Sequence, residues 1–224
     1  MAAGGETVRV RAWDLPTRLF HWALVITFAG SWYTAEQGMT EWHERLGLTT
    51  LALLAFRLIW GFVGSGTARF AGFVRGPLAA WRYARETFAG RHPAYLGHNP
   101  LGGWSVLALL FAMAAQAGMG LFATDEILFE GPLYTLVAHE TALTLTGRHH
   151  QFFDAILVLA AIHVTAVLAY ALLLKTDLIR PMVTGWKTMP AEQAPERIAR
   201  TPTWIAAVLF VGCGLGAWAI TLVG

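Results

Sequence analysis

Five long apolar stretches constrain this chain more than any other feature of its sequence. Each is close to the length that an α-helix needs to cross a hydrocarbon core of about 30 Å, and none alternates with the period of two expected of a barrel strand. Only a helix satisfies its own backbone hydrogen bonds in lipid without closing into a barrel. We therefore expect five transmembrane helices, over residues 19–35, 46–63, 101–123, 152–174 and 204–223.

The composition agrees with a chain that is folded in a bilayer. Charged residues make up 13% of the sequence, about half of the usual fraction in a soluble domain. The single cysteine, Cys213, excludes a disulfide scaffold, and a net charge of +2 argues against nucleic-acid binding. The predicted fold class is an all-α membrane protein, with a four-helix transmembrane bundle within residues 1–187. A linker and one additional C-terminal transmembrane helix follow in residues 188–224.

The distribution of basic residues predicts the orientation of the chain. Three segments hold 13 of its 16 lysines and arginines: the N-terminus, the connection between the second and third stretches, and the connection between the fourth and fifth. The positive-inside rule then places the N-terminus in the cytoplasm and the C-terminus in the periplasm. Asp14 and Pro16 interrupt the first basic segment, so we do not interpret the first stretch as a cleaved signal peptide. Residues 65–100 are expected to include a helix on the cytoplasmic membrane surface.

Histidines within the spans carry the strongest functional signal, because an ionisable side chain is costly there. His149 and His163 are 14 residues apart, which is nearly four helical turns and places both on one face, about 21 Å apart along the axis. His21 lies near the cytoplasmic start of the first span, at the depth of His163. His43 lies at the outer start of the second span, at the depth of His149. Two pairs result, one in each leaflet.

This arrangement matches haem better than zinc. Two opposed neutral imidazoles are the axial ligands of a six-coordinate haem iron, and helix bundles build such sites from facing helices. Zinc needs three or four clustered ligands, and neither cysteine nor carboxylate accompanies the pairs at that spacing. We interpret the four histidines as the iron ligands of two haem b groups that conduct electrons across the membrane. For His43 alone, an ordinary interfacial histidine is the alternative, and His150 is the alternative to His149.

Several other residues are consistent with a haem scaffold. Arg57 is the lone basic residue within a span and would pair with a haem propionate or a quinone oxygen, unless it snorkels to the interface. Other arginines adjoin three of the histidines, where they would contact propionates or anchor the interface: Arg18, Arg45 and Arg148. Four glycines would admit a flat macrocycle or allow close helix packing: Gly30, Gly47, Gly118 and Gly120. The histidines outside the spans are interpreted as loop residues: His92, His98 and His139.

Six motifs occur in order between Val8 and Lys187: "WDLPTRLFHW", "WHERLG", "FRLIWGFVG", "YLGHNPLGGW", "FEGPL" and "AAIHV…RPMVTG". Together they resemble the bacterial cytochrome b561 family, which is related to b-type cytochrome subunits of Ni,Fe-hydrogenases and formate dehydrogenase. The resemblance implies four core helices, two b haems and electron exchange between the quinone pool and a redox partner. It assigns His21 and His163 to the cytoplasmic-side haem, and His43 and His149 to the periplasmic-side haem. The family usually has an acid or amide after the last of these, where this chain has His150.

The resemblance also implies a quinone site near the cytoplasmic-side haem. Asn99 in "GHNPLGG" lies where related subunits contact quinone, and His98 would exchange the proton. The alternative is that "HNP" only caps the third span. The short outer connections favour a small periplasmic c-type cytochrome as partner, and the related complexes suggest a hydrogenase. A bacterial inner membrane protein of this kind competes with two other classes: a haem-free transporter, disfavoured because inverted repeats are not evident, and the membrane anchor of a soluble oxidoreductase.

Overall fold

Eight helices account for most of the residues that the structure describes. The structure is a computed structural model, and it describes residues 6–91 and 94–223. Two short 3-10 turns occur at Tyr134–Leu136 and Ala191–Gln193. The helices are α1 (Leu15–Glu36), α2 (Thr40–Val63), α3 (Phe70–Phe73), α4 (Pro77–Phe88), α5 (Pro100–Gly120), α6 (His139–Leu172), α7 (Ile179–Thr184) and α8 (Thr203–Ile220).

Four of these helices, α2, α5, α6 and α8, are long and apolar enough to cross a membrane. Helix α1 has 22 residues, and so the length of a span, but it is not among the four. Its histidine, tryptophans and hydroxyl residues lower its mean hydropathy. The chain is thus a mostly helical, multi-pass membrane protein. The predicted total of five spans is reached only if α1 is counted as a span in addition to these four helices.

Helix α6 is longer than the apolar stretch that predicted it. It begins at His139, 13 residues before the expected start, and has 34 residues. At 1.5 Å per residue it is about 51 Å long, well beyond a hydrocarbon core of about 30 Å. The polar first turns therefore extend out of the bilayer. His139, which we interpreted as a loop residue, is the first residue of this helix, so that interpretation is wrong.

Helix α2 is the centre of the bundle. It packs against α1, α5 and α8, and α6 packs against α5. Trp60 on α2 is fully buried, and its indole Nε1 donates to Asp14 Oδ2 at 3.1 Å. The other carboxylate oxygen of Asp14 accepts the backbone N–H of Thr17 at 2.8 Å and so caps α1. One aspartate therefore fixes the start of α1 against the end of α2.

Helix α8 flanks α2 outside the other helices. Its Ala206 and Ala217 are buried, and Phe210 makes an edge contact with Phe56, with ring centres 5.9 Å apart. Before the helix, the hydroxyl of Thr201 donates to the carbonyl of Val63 at 2.8 Å. The fifth apolar stretch thus packs beside the bundle.

The sequence analysis did not identify a small sheet. Strand β1 (Thr7–Arg11) pairs antiparallel with β2 (Trp186–Pro190) in the register Val10↔Lys187. The hydrogen bonds from Ala12 and Trp13 to the carbonyl of Gly185 extend this pairing. The sheet ties the N-terminus to the segment that follows α6.

Helix α4 is the helix expected between the second and third spans. Ala80 and Tyr83 are buried, whereas the side chains of Leu78, Trp81 and Phe88 are exposed. Arg82 and Arg85 share the helix. This combination of a buried face with exposed aromatic and basic residues is typical of an interfacial helix.

Candidate functional site

The structure brings His43 and His149 together at one end of the bundle. His43 lies in the first turn of α2, and His149 lies in the third turn of α6. Their ring centres are 5.9 Å apart and their planes make an angle of 85°. An imidazole nitrogen binds a first-row metal at about 2 Å, so two axial rings on one iron have centres about 6 Å apart. The spacing of this pair is therefore that of two ligands of a single metal.

Hydrogen bonds fix the tautomer of both rings. The Nδ1 atom of His43 lies 2.8 Å from the carbonyl oxygen of Ser31 on α1. The Nδ1 atom of His149 lies 2.9 Å from the carbonyl oxygen of Gln116 on α5. A carbonyl can only accept, so each Nδ1 carries the proton and each Nε2 keeps a free lone pair. This second hydrogen bond is typical of metal-binding histidine.

A cavity of about 530 Å³ opens beside the two rings, and we call it the paired-histidine cavity. Gly47, one turn after His43, lines it, and a Cβ atom built at Gly47 meets nothing within 4 Å. A Cβ atom at Gly120 would lie 3.2 Å from Cε1 of His149. The walls also include residues of four helices and the loop before α6, among them Phe28, Ser31, Thr34, Thr50, Met113, Gln116, Ala117, Phe129 and Phe153.

These observations fit a haem group. The donor set is two imidazoles with free Nε2 atoms, and the cavity beside them has the open glycine surface that a flat macrocycle needs. Within residues 6–91 and 94–223, no three or more histidine, cysteine or carboxylate side chains are grouped so that they could hold a metal ion. His150 also lines the cavity, but its side chain is exposed. Its ring centre is 6.1 Å from that of His149.

His21 and His163 form the second predicted pair. His21 lies on α1 and His163 on α6, and the two lie close enough for their charges to interact. Both side chains are half-buried. The Nδ1 atom of His21 is inaccessible to solvent and has no hydrogen-bond partner among the described residues. The second pair therefore leaves a buried polar atom that the protein alone does not satisfy.

His98 lies near this second pair of histidines. Its ring lies between Trp13 and Phe73, with ring centres 4.6 and 4.5 Å away. Burial lowers the pKa of His98 to about 3, and the nearby charges of Arg57, His163 and His21 act in the same direction. The lowered pKa works against the proton exchange with a quinone that we expected of His98, and that role stays a prediction. The physical reason for the lowered pKa is its aromatic and cationic surroundings, which the loop position did not reveal.

Arg57 is buried in the last third of α2, with 2% of its surface exposed. One guanidinium nitrogen donates to the carbonyl of Ala68 at 3.1 Å, and the group lies 4.9 Å from the ring centre of Phe70. The other terminal nitrogen is buried without a partner, and no carboxylate lies within 4 Å among the described residues. Arg57 does not snorkel to the surface, and its charge has no direct counter-ion in the described chain.

Asn99 caps α5 and connects two tyrosines. Its Oδ1 accepts the backbone N–H of Gly102 at 2.7 Å, which is the capping function we gave as the alternative to quinone binding. Its Nδ2 donates to the hydroxyl of Tyr170 at 3.0 Å. The hydroxyls of Tyr170 and Tyr83 are 2.7 Å apart. Asn99 thus uses one of its two side-chain N–H groups and one of its two oxygen lone pairs within the protein.

The remaining residues named from the sequence have local partners. Arg18 donates to the carbonyl of Val183 at 2.6 Å, Arg45 pairs with Glu41, and Arg148 donates to Gln151 at 3.3 Å. A Cβ atom at Gly30 would lie 3.0 Å from Leu46, so this glycine serves helix packing, whereas one at Gly118 meets nothing within 4 Å. His139 lies 3.5 Å from Glu126, and His92 lies outside the described residues.

Comparison with known proteins gives one match. A family model described as prokaryotic cytochrome b561 matches residues 12–185. This range contains both histidine pairs and ends before α8. Neither the curated proteins nor the solved structures gave a match.

Proposed function

The chain belongs to the prokaryotic cytochrome b561 family, and from this membership we propose that it is a dihaem cytochrome that carries electrons across the bacterial inner membrane. The family assignment makes it a membrane b-type cytochrome of electron transfer. The number of haems, their ligands and the redox partners are the parts that we add.

The geometry of His43 and His149 carries the proposal. We assign these two imidazoles to one haem b, which supplies reversible one-electron chemistry at its iron. The carbonyls of Ser31 and Gln116 hold the rings in the tautomer that presents Nε2. They also raise the basicity of each imidazole and hence its strength as a ligand. The surrounding apolar side chains exclude water and so help to set the redox potential.

We assign His21 and His163 to the second haem, and His163 lies about 21 Å from His149 along α6. Arg57 would hold a propionate of this haem, because its buried and unpaired guanidinium nitrogen requires an anion. His21 lies close enough to His163 for their charges to interact, which supports the same assignment. The two sites would then form a path for electrons through most of the bilayer.

The orientation and the partners complete the proposal. The basic segments favour a cytoplasmic N-terminus and a periplasmic C-terminus, with α1 as a further span. The His43–His149 haem would then face the periplasm and donate to, or accept from, a c-type cytochrome or a hydrogenase. Quinone would bind near the other haem, with Asn99 contributing its one remaining N–H. His98, which precedes Asn99, stays the candidate for proton exchange.

Haem content tests the proposal. We expect a reduced-minus-oxidised spectrum with sharp b-type bands and two haems per chain. His43→Ala and His149→Ala should each reduce the content to one haem, because each removes an axial ligand of the same iron. His150→Ala is the matched control and should retain two. A featureless spectrum would favour the transporter or anchor alternatives, and full haem content in both ligand variants would refute the assignment.

A further inference from the structure

A second cavity, of about 510 Å³, lies beyond the end of α6. It is lined by the β1–β2 sheet, the segment around α7, the loop before α5 and the end of α6, and its walls include Tyr83, Asn99 and Tyr170, beside which we proposed a quinone. Four basic residues line it, against a single acid, Asp177. We call this the basic cavity, and its cations are Arg9, Lys175, Arg180 and Lys187.

The positive charge of the basic cavity is not neutralised by the protein. None of the four cations has a carboxylate within 4 Å among the described residues. Asp177 is engaged elsewhere, because its Oδ1 accepts the backbone N–H groups of Ile179 and Arg180 at 3.0 Å each. Lys187 is half-buried and donates to the carbonyl of Tyr95 at 2.7 Å. Burial lowers the pKa of Lys187, although Asp177 opposes the effect, so an anion beside Lys187 would relieve the cost of its charge.

The fold assembles these charges from distant parts of the chain. Strand pairing sets Val10 opposite Lys187 and brings Arg9 to the same sheet. The guanidinium of Arg9 lies 5.4 Å from the ring centre of Trp186, which holds it beside the cavity. Lys175 follows the last turn of α6, and Arg180 lies on α7. The four cations of the basic cavity are thus positioned by the β1–β2 sheet, the end of α6 and α7.

The surroundings indicate what kind of anion the basic cavity takes. Leu172 and Leu173, at the end of the most apolar span, are highly exposed beside it, as they would be if acyl chains covered them. The cavity therefore lies where a hydrocarbon core ends and the headgroup layer begins. Cationic pockets at this depth, on the side of the basic loops, suit phosphate headgroups. A neutral quinone head does not require four cations.

We propose that the basic cavity binds the phosphate headgroup of an anionic phospholipid. The cations on the sheet and on α7 would donate charge-assisted hydrogen bonds to the phosphate oxygens. The acyl chains would lie along the exposed leucines at the end of α6. This site does not depend on the haem assignments, so it can fail while they hold.

Lipid titration of the delipidated full chain in detergent tests this proposal. The midpoint of thermal unfolding is followed while mixed micelles containing dioleoyl phosphatidylglycerol or dioleoyl phosphatidylcholine are added. We expect phosphatidylglycerol, and not phosphatidylcholine, to stabilise the chain. The double variant Lys175→Gln/Arg180→Gln should weaken the apparent affinity about thirtyfold, since each cation contributes about 1 kcal/mol to the binding of anionic lipid. Lys187→Gln provides an independent variant on the sheet.

The matched control is Arg82→Gln/Arg197→Gln, which removes two exposed charges that do not line the cavity. It should change the affinity by less than about threefold, because general surface attraction is weak beyond a Debye length. An equal loss in both double variants, or no loss in either, would overturn the proposal. So would equal protection by inorganic phosphate alone, or protection by decylubiquinone that Lys175→Gln/Arg180→Gln weakens as much as it weakens protection by the lipid. The haem spectrum, recorded in every sample, reports separately on the proposed function.

Discussion

Substitution of Gly47 should change haem affinity and protein stability in opposite directions. The residue lies on α2 one turn after His43, lines the paired-histidine cavity and has open space where a Cβ atom would be. Gly47→Ala should therefore cause no clash in the protein itself and should stabilise the helix by roughly 0.8–1 kcal/mol. The new methyl group would occupy space that we assign to the macrocycle. Overpacking of that kind costs roughly 1–3 kcal/mol, which weakens binding of this haem roughly 5- to 140-fold.

Gly47→Leu should abolish binding at this site and reduce the content from two haems per chain to one. The assay is the ratio of haem to protein in purified samples, with the unfolding midpoint of the haem-free protein measured in parallel. Gly212→Ala on α8 is the matched control, because its Cβ atom also meets nothing within 4 Å and it lies away from the cavity. It should gain stability and keep both haems. Two haems in Gly47→Leu would refute the reasoning, since a macrocycle could not then lie against α2 at this glycine.

Three further predictions concern other parts of the molecule. Arg57→Gln should lower the midpoint potential of one haem by roughly tens of millivolts, because a nearby positive charge stabilises the reduced iron; a redox titration measures this, and two unchanged potentials would contradict it. Trp60→Phe should destabilise the fold by about 1–2 kcal/mol through loss of the hydrogen bond to Asp14, measured by chemical unfolding against the exposed control Trp42→Phe. Asp125 accepts the backbone N–H groups of Ile127, Leu128 and Phe129, and these bonds hold the pKa of its carboxyl below the ordinary value. The carboxylate therefore stabilises this turn above about pH 3.9, and the stabilisation is lost as the pH falls through the lowered pKa. Asp125→Ala should accordingly accelerate amide exchange at these three residues at neutral pH. Equal exchange rates in the variant and the unsubstituted protein would exclude the effect.

The sequence predicted the parts of the site that depend on helix periodicity. The period of 3.6 residues sets His149 and His163 on one face, and the reversal between α1 and α2 sends His43 to the opposite end from His21. The carbonyl acceptors at Ser31 and Gln116 could not be predicted, because backbone atoms leave no side-chain signal. The β1–β2 pairing joins two five-residue segments far apart in sequence, and strands this short carry little pattern. The lowered pKa of His98 could not be predicted either, because its burial by Trp13 and Phe73 is a tertiary property.

Helix α6 connects the two histidine pairs with the basic cavity. A continuous helix fixes the separation of His149 and His163, since neither can move along the axis without unwinding it. The short connection between Glu36 and Thr40 makes α1 and α2 antiparallel neighbours. The starts of α1 and α2 then lie at opposite ends of α6, with His21 in the second turn of α1 and His43 in the first turn of α2. Tyr170, in the last turn of the same helix, contacts Asn99 and lines the basic cavity. Bound lipid at that cavity would therefore hold the end of the helix that carries both ligands, and through it the distance over which electrons must pass.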